Sequence, residues 1–265
     1  MIKVADICDW MDAVAPLALS ESWDNTGLLL GCPELEANRV QTCLTLTPET
    51  TSEAIERSAQ LVIVHHPLPF KALKRMTTQT AVGSTLWRLA NAGCGIYAPH
   101  TAWDSAEFGI NALLAEKLNL QGVEPIIDAA NPDYPGLGAG RIGDLPDAMS
   151  AEGLATLLSD LPGFRPRAVF PHKSVSRIAI ACGSGGSLLS AGLAAGCDLF
   201  FTGEATYHTC LEAEAAGCGL LMVGHYASER FAMEQLAQKL AAEFPTVECW
   251  ASEQESDPVK AVELP

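Results

Sequence analysis

Short apolar runs alternating with helical patterns are the feature that most constrains the fold of this chain. The run Leu61–Val64 is wholly apolar and rich in β-branched residues, as in a strand buried on both faces of a parallel sheet. Further strands are predicted at 28–30, 40–46, 95–98, 177–181, 198–201, 220–223 and 247–250. Helices are predicted at 2–17, 47–59, 80–92, 109–118, 150–161, 187–195, 205–216 and 227–242. This alternation predicts an α/β protein with mostly parallel sheets flanked by helices.

A segment rich in proline and glycine divides this pattern into two similar halves. Positions 121–146 contain four prolines and five glycines, a composition typical of a linker. We therefore predict an N-terminal α/β domain at 1–125 and a C-terminal α/β domain at 126–265, with the boundary somewhere within 121–146.

Charge and composition exclude several classes of protein. The chain of 265 residues has 16 basic and 32 acidic side chains, a formal charge of −16. This balance argues against general nucleic-acid binding and against adhesion to an anionic membrane. Apolar runs are too short for a membrane span, and Asp6 and Asp9 interrupt any signal-peptide core, so a cytoplasmic protein is expected. Nine cysteines without a Cys-x-x-Cys pair indicate reduced structural thiols.

Histidine and carboxylate side chains follow directly after four of the predicted strands. Ligands of open α/β sheets bind outside the carboxyl ends of the strands, so we expect these side chains to converge. Each histidine alone could be structural, but five of the six lie at or just past such ends, and only His172 lies elsewhere. The residues concerned are His65, His66, His100, Asp104, Glu204, His208 and His225.

The spacing of these residues favours a site with two metal ions. Adjacent side chains in a regular strand point in opposite directions, so such a strand could not aim both His65 and His66 at one ion. At a strand end before Pro67 the backbone can turn, and each ring could then bind a different ion of a pair. His225 and Glu229 are four residues apart at the start of a predicted helix and share one face. A set of imidazoles and carboxylates suits Zn, Fe, Mn or Co better than Ca, and it does not identify the metal.

Two glycine-rich segments are candidates for binding an anionic group, and the sequence rejects one of them. Gly138-Ala-Gly140-Arg-Ile-Gly143 matches a dinucleotide fingerprint, but neither a strand before it nor a helix after it is predicted, so we reject that function. The second segment lies between a strand and a helix. It could bind an anion through its amides, or it could be a tight turn that allows close packing, and both alternatives stay open. Its residues are Gly183, Ser184, Gly185 and Gly186.

Taken together, the motifs resemble the family of dinuclear-metal proteins known as GTP cyclohydrolase I type 2 homologues (YbgI-like). The resemblance covers nearly the whole chain. It is carried by Ser22-Trp-Asp-Asn-Thr-Gly27, Val64-His-His-Pro67, His100-Thr-x-x-Asp104, Gly183-Ser-Gly185, Thr202-Gly-Glu204 with His208, and Gly224-His-x-x-Ser-Glu229. It implies two α/β domains per subunit and a toroidal homohexamer, with metal sites between the domains at the strand ends and facing a central cavity.

The resemblance also implies five metal ligands, all of which match positions of this chain. They are His65, His66, Asp104, His225 and Glu229. It further implies that His66 and Asp104 bind one ion, that His65 and His225 bind the other, and that Glu229 bridges them. The resemblance therefore identifies the metal ligands but does not identify the reaction.

The leading functional hypothesis is a metal-dependent hydrolase with two divalent ions that acts on a phosphorylated or nucleotide-like small molecule. Glu204, His208 and His100 are the candidates for proton transfer or for orienting a ligand, and the 183–186 loop would receive an anionic group. The alternative is a metal-binding regulatory or scaffold protein without turnover, in which protein atoms would saturate both metals. Association of a ring with DNA is disfavoured by the charge of −16.

Overall fold

A computed structural model describes residues 1–170 and 174–260, so His172 lies outside the described residues. The predicted helices begin and end within a few residues of the expected positions, the last of them is divided after Glu229, and the helix His100–Ser105 was not predicted. They are α1 (Val4–Val14), α2 (Pro48–Glu56), α3 (Ala81–Asn91), α4 (His100–Ser105), α5 (Ile110–Lys117), α6 (Ala151–Leu157), α7 (Leu189–Ala194), α8 (Tyr207–Ala216), α9 (His225–Glu229) and α10 (Phe231–Glu243).

The strands include all those predicted and several more. They are β1 (Gly27–Leu30), β2 (Arg39–Cys43), β3 (Leu61–Val64), β4 (Gly95–Ala98), β5 (Gln121–Glu124), β6 (Ile127–Asp128), β7 (Gly138–Ala139), β8 (Arg141–Met149), β9 (Arg167–Val169), β10 (Val175–Ala181), β11 (Leu199–Thr202), β12 (Gly219–Met222) and β13 (Glu248–Ala251).

The two main sheets confirm the α/β class. The first has the order β1-β4-β3-β2-β13 and is parallel except for β1 against β4. The second has the order β5-β8-β10-β11-β12-β9. Only β10, β11 and β12 are parallel neighbours there, so the prediction of a mostly parallel second sheet is wrong at its edges. The connection between β5 and β8 contains no helix to form a crossover, and the two strands pair antiparallel.

The segment 121–146, predicted as a linker from its composition, contributes strands to the second sheet. Pro125, Pro132 and Pro135 lie between strands, whereas Pro146 lies inside β8. The register of β8 against β10 shifts between the pairs Met149–Val175 and Asp144–Arg177, which leaves Pro146 in a bulge. Proline is tolerated there because no ladder hydrogen bond is required of it.

The chain returns to its first sheet at the C-terminal end. Strand β13 pairs parallel to β2, with Trp250 opposite Gln41, and α10 packs on both strands. Buried Glu53 of α2 accepts hydrogen bonds from Trp250 Nε1 at 3.1 Å and from the amide of Glu253 at 3.0 Å. The division at 1–125 and 126–265 stays a prediction, and a division by sheets would assign β13 to the first unit.

One apolar core runs between the two sheets and fixes how they face each other. It combines side chains of α1, α5 and α10 with those of both sheets, including Ile63 and Phe201. The carboxyl ends of β2, β3 and β4 therefore meet those of β10, β11 and β12. Within the described ranges, no helix is long and apolar enough to cross a membrane.

Candidate metal centre

The two adjacent histidines follow strand β3 at a bend of the chain. Their consecutive amides both donate to the end of β2, from His65 to the Cys43 carbonyl at 3.1 Å and from His66 to the Leu44 carbonyl at 2.9 Å. A regular strand would direct these two amides to opposite sides, so the backbone has left the strand conformation here, and the centroids of the two rings lie 5.1 Å apart. His65 is buried at 1% exposure, next to Trp103, whereas the His66 ring lies against that of His225.

Three side chains meet at distances suited to a tetrahedral metal ion. His66 Nε2 lies 3.2 Å from Glu229 Oε2, His225 Nε2 lies 3.1 Å from the same oxygen, and the two ring nitrogens are 3.2 Å apart. Ligands about 2.0–2.1 Å from zinc in tetrahedral geometry are separated by about 3.3 Å. Glu229 is 3% exposed, and its Oε2 accepts no hydrogen bond within the described chain. This donor set fits a divalent metal.

A second set of side chains lies on the other side of Glu229. His65 Nε2 is 3.7 Å from Asp104 Oδ1 and 3.9 Å from Glu229 Oε1. Neither ring nitrogen of His65 has a hydrogen-bond partner among the described residues, although the ring is buried. Burial lowers the pKa of His65 well below its ordinary value, so the ring is neutral, as a metal ligand must be.

The two oxygens of Glu229 thus face different histidines, which fits a bridging carboxylate. The resemblance implies that His66 shares an ion with Asp104 and that His65 shares one with His225, and this assignment stays a prediction. His66 and His225 belong to one set, and His65 and Asp104 to the other.

The ionisable groups of the centre perturb one another strongly. Burial, followed by the charge of Glu229, raises the pKa of Asp104 to about 7. For Glu229, burial is outweighed by contacts with His225 and His66, so its pKa is lowered. Burial lowers the pKa of His225, but Glu229 and Glu204 outweigh it and raise the pKa to about 9. Opposed shifts of this kind are common at functional sites.

Outer partners orient two of the imidazoles. Glu204 Oε1 lies 3.0 Å from His225 Nδ1, and Thr45 Oγ1 lies 2.8 Å from His66 Nδ1. A partner at Nδ1 fixes the ring orientation and directs Nε2 to the centre, as is usual for metal-binding histidines. Ser184 Oγ in turn donates to Glu204 Oε1 at 2.5 Å. Glu204 therefore orients the ring of His225 in this structure.

Asp24 is a residue of the site to which the sequence reasoning assigned no role. Its buried carboxylate lies 2.8 Å from His100 Nδ1 and accepts a hydrogen bond from Thr101 Oγ1. Because β1 pairs antiparallel with β4, Gly27 lies opposite Ala98, and the turn before β1 meets the residues after β4. The polar turn from Ser22 to Gly27 was the available signal, but the strand pairing that gives it a partner is tertiary information.

The loop Cys182–Gly186 packs directly against the centre. Gly183 has a φ of +58°, and a Cβ there would lie 2.2 Å from Glu229 Oε1. The amide of Cys182 donates to Asn111 Oδ1 at 2.8 Å, and that of Gly183 donates to Ser228 Oγ at 2.9 Å. These contacts favour the tight-turn alternative.

His208 is not brought to the centre. It is exposed at the start of α8, and its ring lies beside that of Tyr207. His100, in contrast, has a ring nitrogen within 4.8 Å of ligand atoms of His65 and His66. Of the three candidates for proton transfer or orientation, His100 and Glu204 therefore lie at the centre.

Two cavities adjoin the centre and share His66 and His225. The first, of about 560 Å³, has exposed Trp23 and Phe70 in its wall, with ring centroids 5.9 Å apart. The second, of about 770 Å³, is bounded by residues 163–167, by 224–226 and by the C-terminal segment 257–259. Both volumes lie in the range of small-molecule sites.

Known proteins similar to this chain span nearly its whole length. The model of the Duf34/NIF3 (NGG1p interacting factor 3) family matches residues 2–258. A "GTP cyclohydrolase 1 type 2 homolog" of Clostridium perfringens is 30% identical, over 98% of this chain and 100% of the relative. "Protein NIF3 homolog" of Schizosaccharomyces pombe is 33% identical, over 85% of this chain and 84% of the relative. The crystal structure of Staphylococcus aureus protein SA1388 has a TM-score of 0.86 at 27% identity, and covers 98% of this chain and 99% of that one.

Proposed function

This chain belongs to the Duf34/NIF3 family, and we propose that it is a hydrolase that uses two divalent metal ions. Its described side chains include a His/Glu group that could bind a metal, formed by His66, His225 and Glu229. In the proposal, this group would hold one ion, and His65 and Asp104, together with the other oxygen of Glu229, would hold a second. The observation that carries the proposal is the position of Glu229, whose two carboxylate oxygens face different histidines at 3.1–3.9 Å.

The number of ligands supports catalysis over closed structural binding. Three side chains surround each proposed position, whereas structural zinc sites have four protein ligands. The centre also adjoins a cavity that is lined by His66, Asp104, His225 and Glu229. A small molecule could therefore approach the open side of each ion. This argues against the alternative of a scaffold protein without turnover.

The residues around the ions have separate tasks in this mechanism. Bound divalent ions would supply Lewis-acid activation of water and of the substrate oxygen. Glu204 and Thr45 orient the rings of His225 and His66. Asp24 holds His100 with Nδ1 toward the carboxylate, which leaves Nε2 as the group that moves a proton. Burial lowers the pKa of His100, but the hydrogen bond and charge of Asp24 and the charge of Asp104 raise it overall.

We propose a phosphorylated or nucleotide-like molecule as substrate. The two cavities are large enough for one, and the exposed rings of Trp23 and Phe70 offer faces on which a planar base could stack. The Clostridium relative bears the name of a GTP cyclohydrolase homolog, so GTP belongs in any substrate panel. Zn, Fe, Mn and Co all suit the ligands.

The test compares metal content and turnover in matched variants. His66→Ala and Glu229→Ala should lose bound metal and turnover on a panel of phosphoesters and nucleotides. His208→Ala removes an exposed histidine away from the centre and should leave both unchanged. Full turnover by a variant without metal would refute the hydrolase proposal. Stoichiometric metal binding without turnover on any panel substrate would favour a regulatory or scaffold role.

We further propose the toroidal homohexamer that the resemblance implies. Large apolar side chains are exposed on the single chain, among them Phe108 at 54% and Trp87 at 49%, and subunit contacts could cover them. Sedimentation at micromolar concentration tests this, and a monomer there would contradict it.

A further inference from the structure

Two arginines stand in the wall of the larger cavity beside the proposed metal centre. Arg165 and Arg167 bound the cavity of about 770 Å³ together with His66, Glu204 and His225. They are therefore positive groups on the same cavity as two of the proposed ligands, in a chain with a formal charge of −16.

Strand pairing explains why both arginines reach this place. Strand β9 runs antiparallel to β12, with Arg167 opposite Met222, and the Arg165 amide donates to the Val223 carbonyl at 3.2 Å. The segment before β9 thus lies beside the turn that leads from β12 to His225. Residues two apart on an extended segment point to the same side, so Arg165 and Arg167 face the cavity together.

Neither guanidinium is engaged within residues 1–170 and 174–260. No ion pair or side-chain hydrogen bond joins Arg165 or Arg167 to a described residue, and both side chains are exposed. Most other arginines bond to carboxylates, carbonyls or a hydroxyl: Arg39, Arg57, Arg88, Arg141, Arg177 and Arg230.

The acidic groups of the same cavity already have partners. Glu204 is held by His225 and Ser184, and Asp257 accepts a hydrogen bond from the Val259 amide at 2.8 Å. The guanidinium groups of Arg165 and Arg167 are thus left facing the cavity beside the metal centre. Their chemistry matches a ligand with several anionic oxygens.

We propose that Arg165 and Arg167 bind the phosphate group of the substrate. The inference rests on the proposed function, and it assigns recognition of the substrate's phosphate group to these two arginines. Guanidinium groups pair with phosphate through two parallel N–H···O bonds, and two of them balance a dianion. The 183–186 loop is a weaker candidate, because the amides of Cys182 and Gly183 already donate to Asn111 and Ser228.

Calorimetric titration of the metal-loaded protein with inorganic phosphate, at constant ionic strength, tests the assignment. Arg165→Ala and Arg167→Ala should each weaken phosphate binding about tenfold, since each removes charge-assisted hydrogen bonds. Arg75→Ala is the matched control. Arg75 is also exposed and has no ion pair among the described residues, but it lies on a loop outside this cavity. It should change the affinity less than twofold.

The outcomes separate this inference from the hydrolase proposal. Phosphate binding is measured without turnover, so a protein that hydrolyses nothing can still show the arginine dependence. Equal affinity in wild type, Arg165→Ala and Arg167→Ala would place phosphate on the metals or elsewhere and overturn the inference. Failure of the wild-type protein to bind phosphate would also overturn the inference. Unchanged metal content in both arginine variants confirms that they report on the anion site alone.

Discussion

Replacing Gly183 by alanine tests whether the carboxylate of Glu229 must keep its place between the histidines. A Cβ at position 183 would lie 2.2 Å from Glu229 Oε1, and 3.2 Å from both Glu229 Cδ and His225 Nε2. Real Cβ contacts under 3.0 Å essentially do not occur, so the oxygen must move by roughly 0.8 Å. Metal–ligand distances tolerate only about 0.2 Å, so we expect the affinity for metal to fall at least tenfold.

The substitution also has a backbone cost, which a second glycine isolates. Gly183 has a φ of +58°, and an L-residue in this region costs about 1–2 kcal/mol. Gly93 has a φ of +70°, but a Cβ there meets nothing within 4 Å. Gly93→Ala should therefore lower the free energy of unfolding by about 1–2 kcal/mol and leave metal binding unchanged.

Two measurements separate the backbone effect from the effect on the carboxylate. Urea denaturation of the metal-free proteins gives the free energy of unfolding, and competition with a chromophoric chelator gives the affinity for metal. Gly183→Ala should lose at least as much free energy of unfolding as Gly93→Ala, and only Gly183→Ala should lose affinity for metal. Wild-type affinity for metal in Gly183→Ala would refute the reasoning, because Glu229 would then not need its observed position.

Further predictions concern the residues that orient the imidazoles. Glu204→Gln should weaken metal binding about 10–100-fold, because the ring of His225 would lose the carboxylate that orients it. Chelator competition measures the affinity for metal, and equal affinity in Glu204→Gln and His208→Ala would contradict this role. For Asp24, burial is outweighed by hydrogen bonds from His100 and Thr101, so its pKa is lowered to about 2 from 3.8. A depressed pKa contributes stability above the unfolded value of 3.8 and loses it as the pH falls toward 2. Asp24→Asn should thus lower the free energy of unfolding by about 2 kcal/mol at pH 7, with the difference shrinking from pH 4 toward pH 2, as denaturation at several pH values would show. Glu21→Gln, an exposed neighbour, is the control, and a deficit for Asp24→Asn that is independent of pH would count against the ion pair.

Periodicity predicted the elements well where burial is one-sided or complete. The runs at β3 and β4 are wholly buried, and their predicted limits agree with the structure. Prediction was poorest at 121–146, where prolines and glycines indicated a linker and the structure has β5 to β8. Composition failed there because glycine and proline are compatible with strands at bulges and edges, and only the neighbouring strand decides whether pairing occurs.

Some features of the candidate site could likewise be predicted from the sequence, and others could not. Placing histidines and carboxylates after strand ends required only local patterns and the rule for α/β sheets. The grouping of His66 with His225 depends on the second sheet facing the first, which no local pattern encodes. The roles of Asp24 and of Arg165 depend on antiparallel pairings, of β1 with β4 and of β9 with β12.

The amino-acid sequence by itself determined the α/β class, the strand ends that carry ionisable residues and the chemistry of a histidine–carboxylate metal set. These follow from the chain's own periodicity and residue types, which act over a few neighbouring positions. Only the tertiary structure decided which of these side chains lie next to each other, which carboxylate contacts His100 and which arginines border the cavity. Those contacts join residues far apart in the chain, and strand order and the packing of one sheet against the other bring them within a few ångströms.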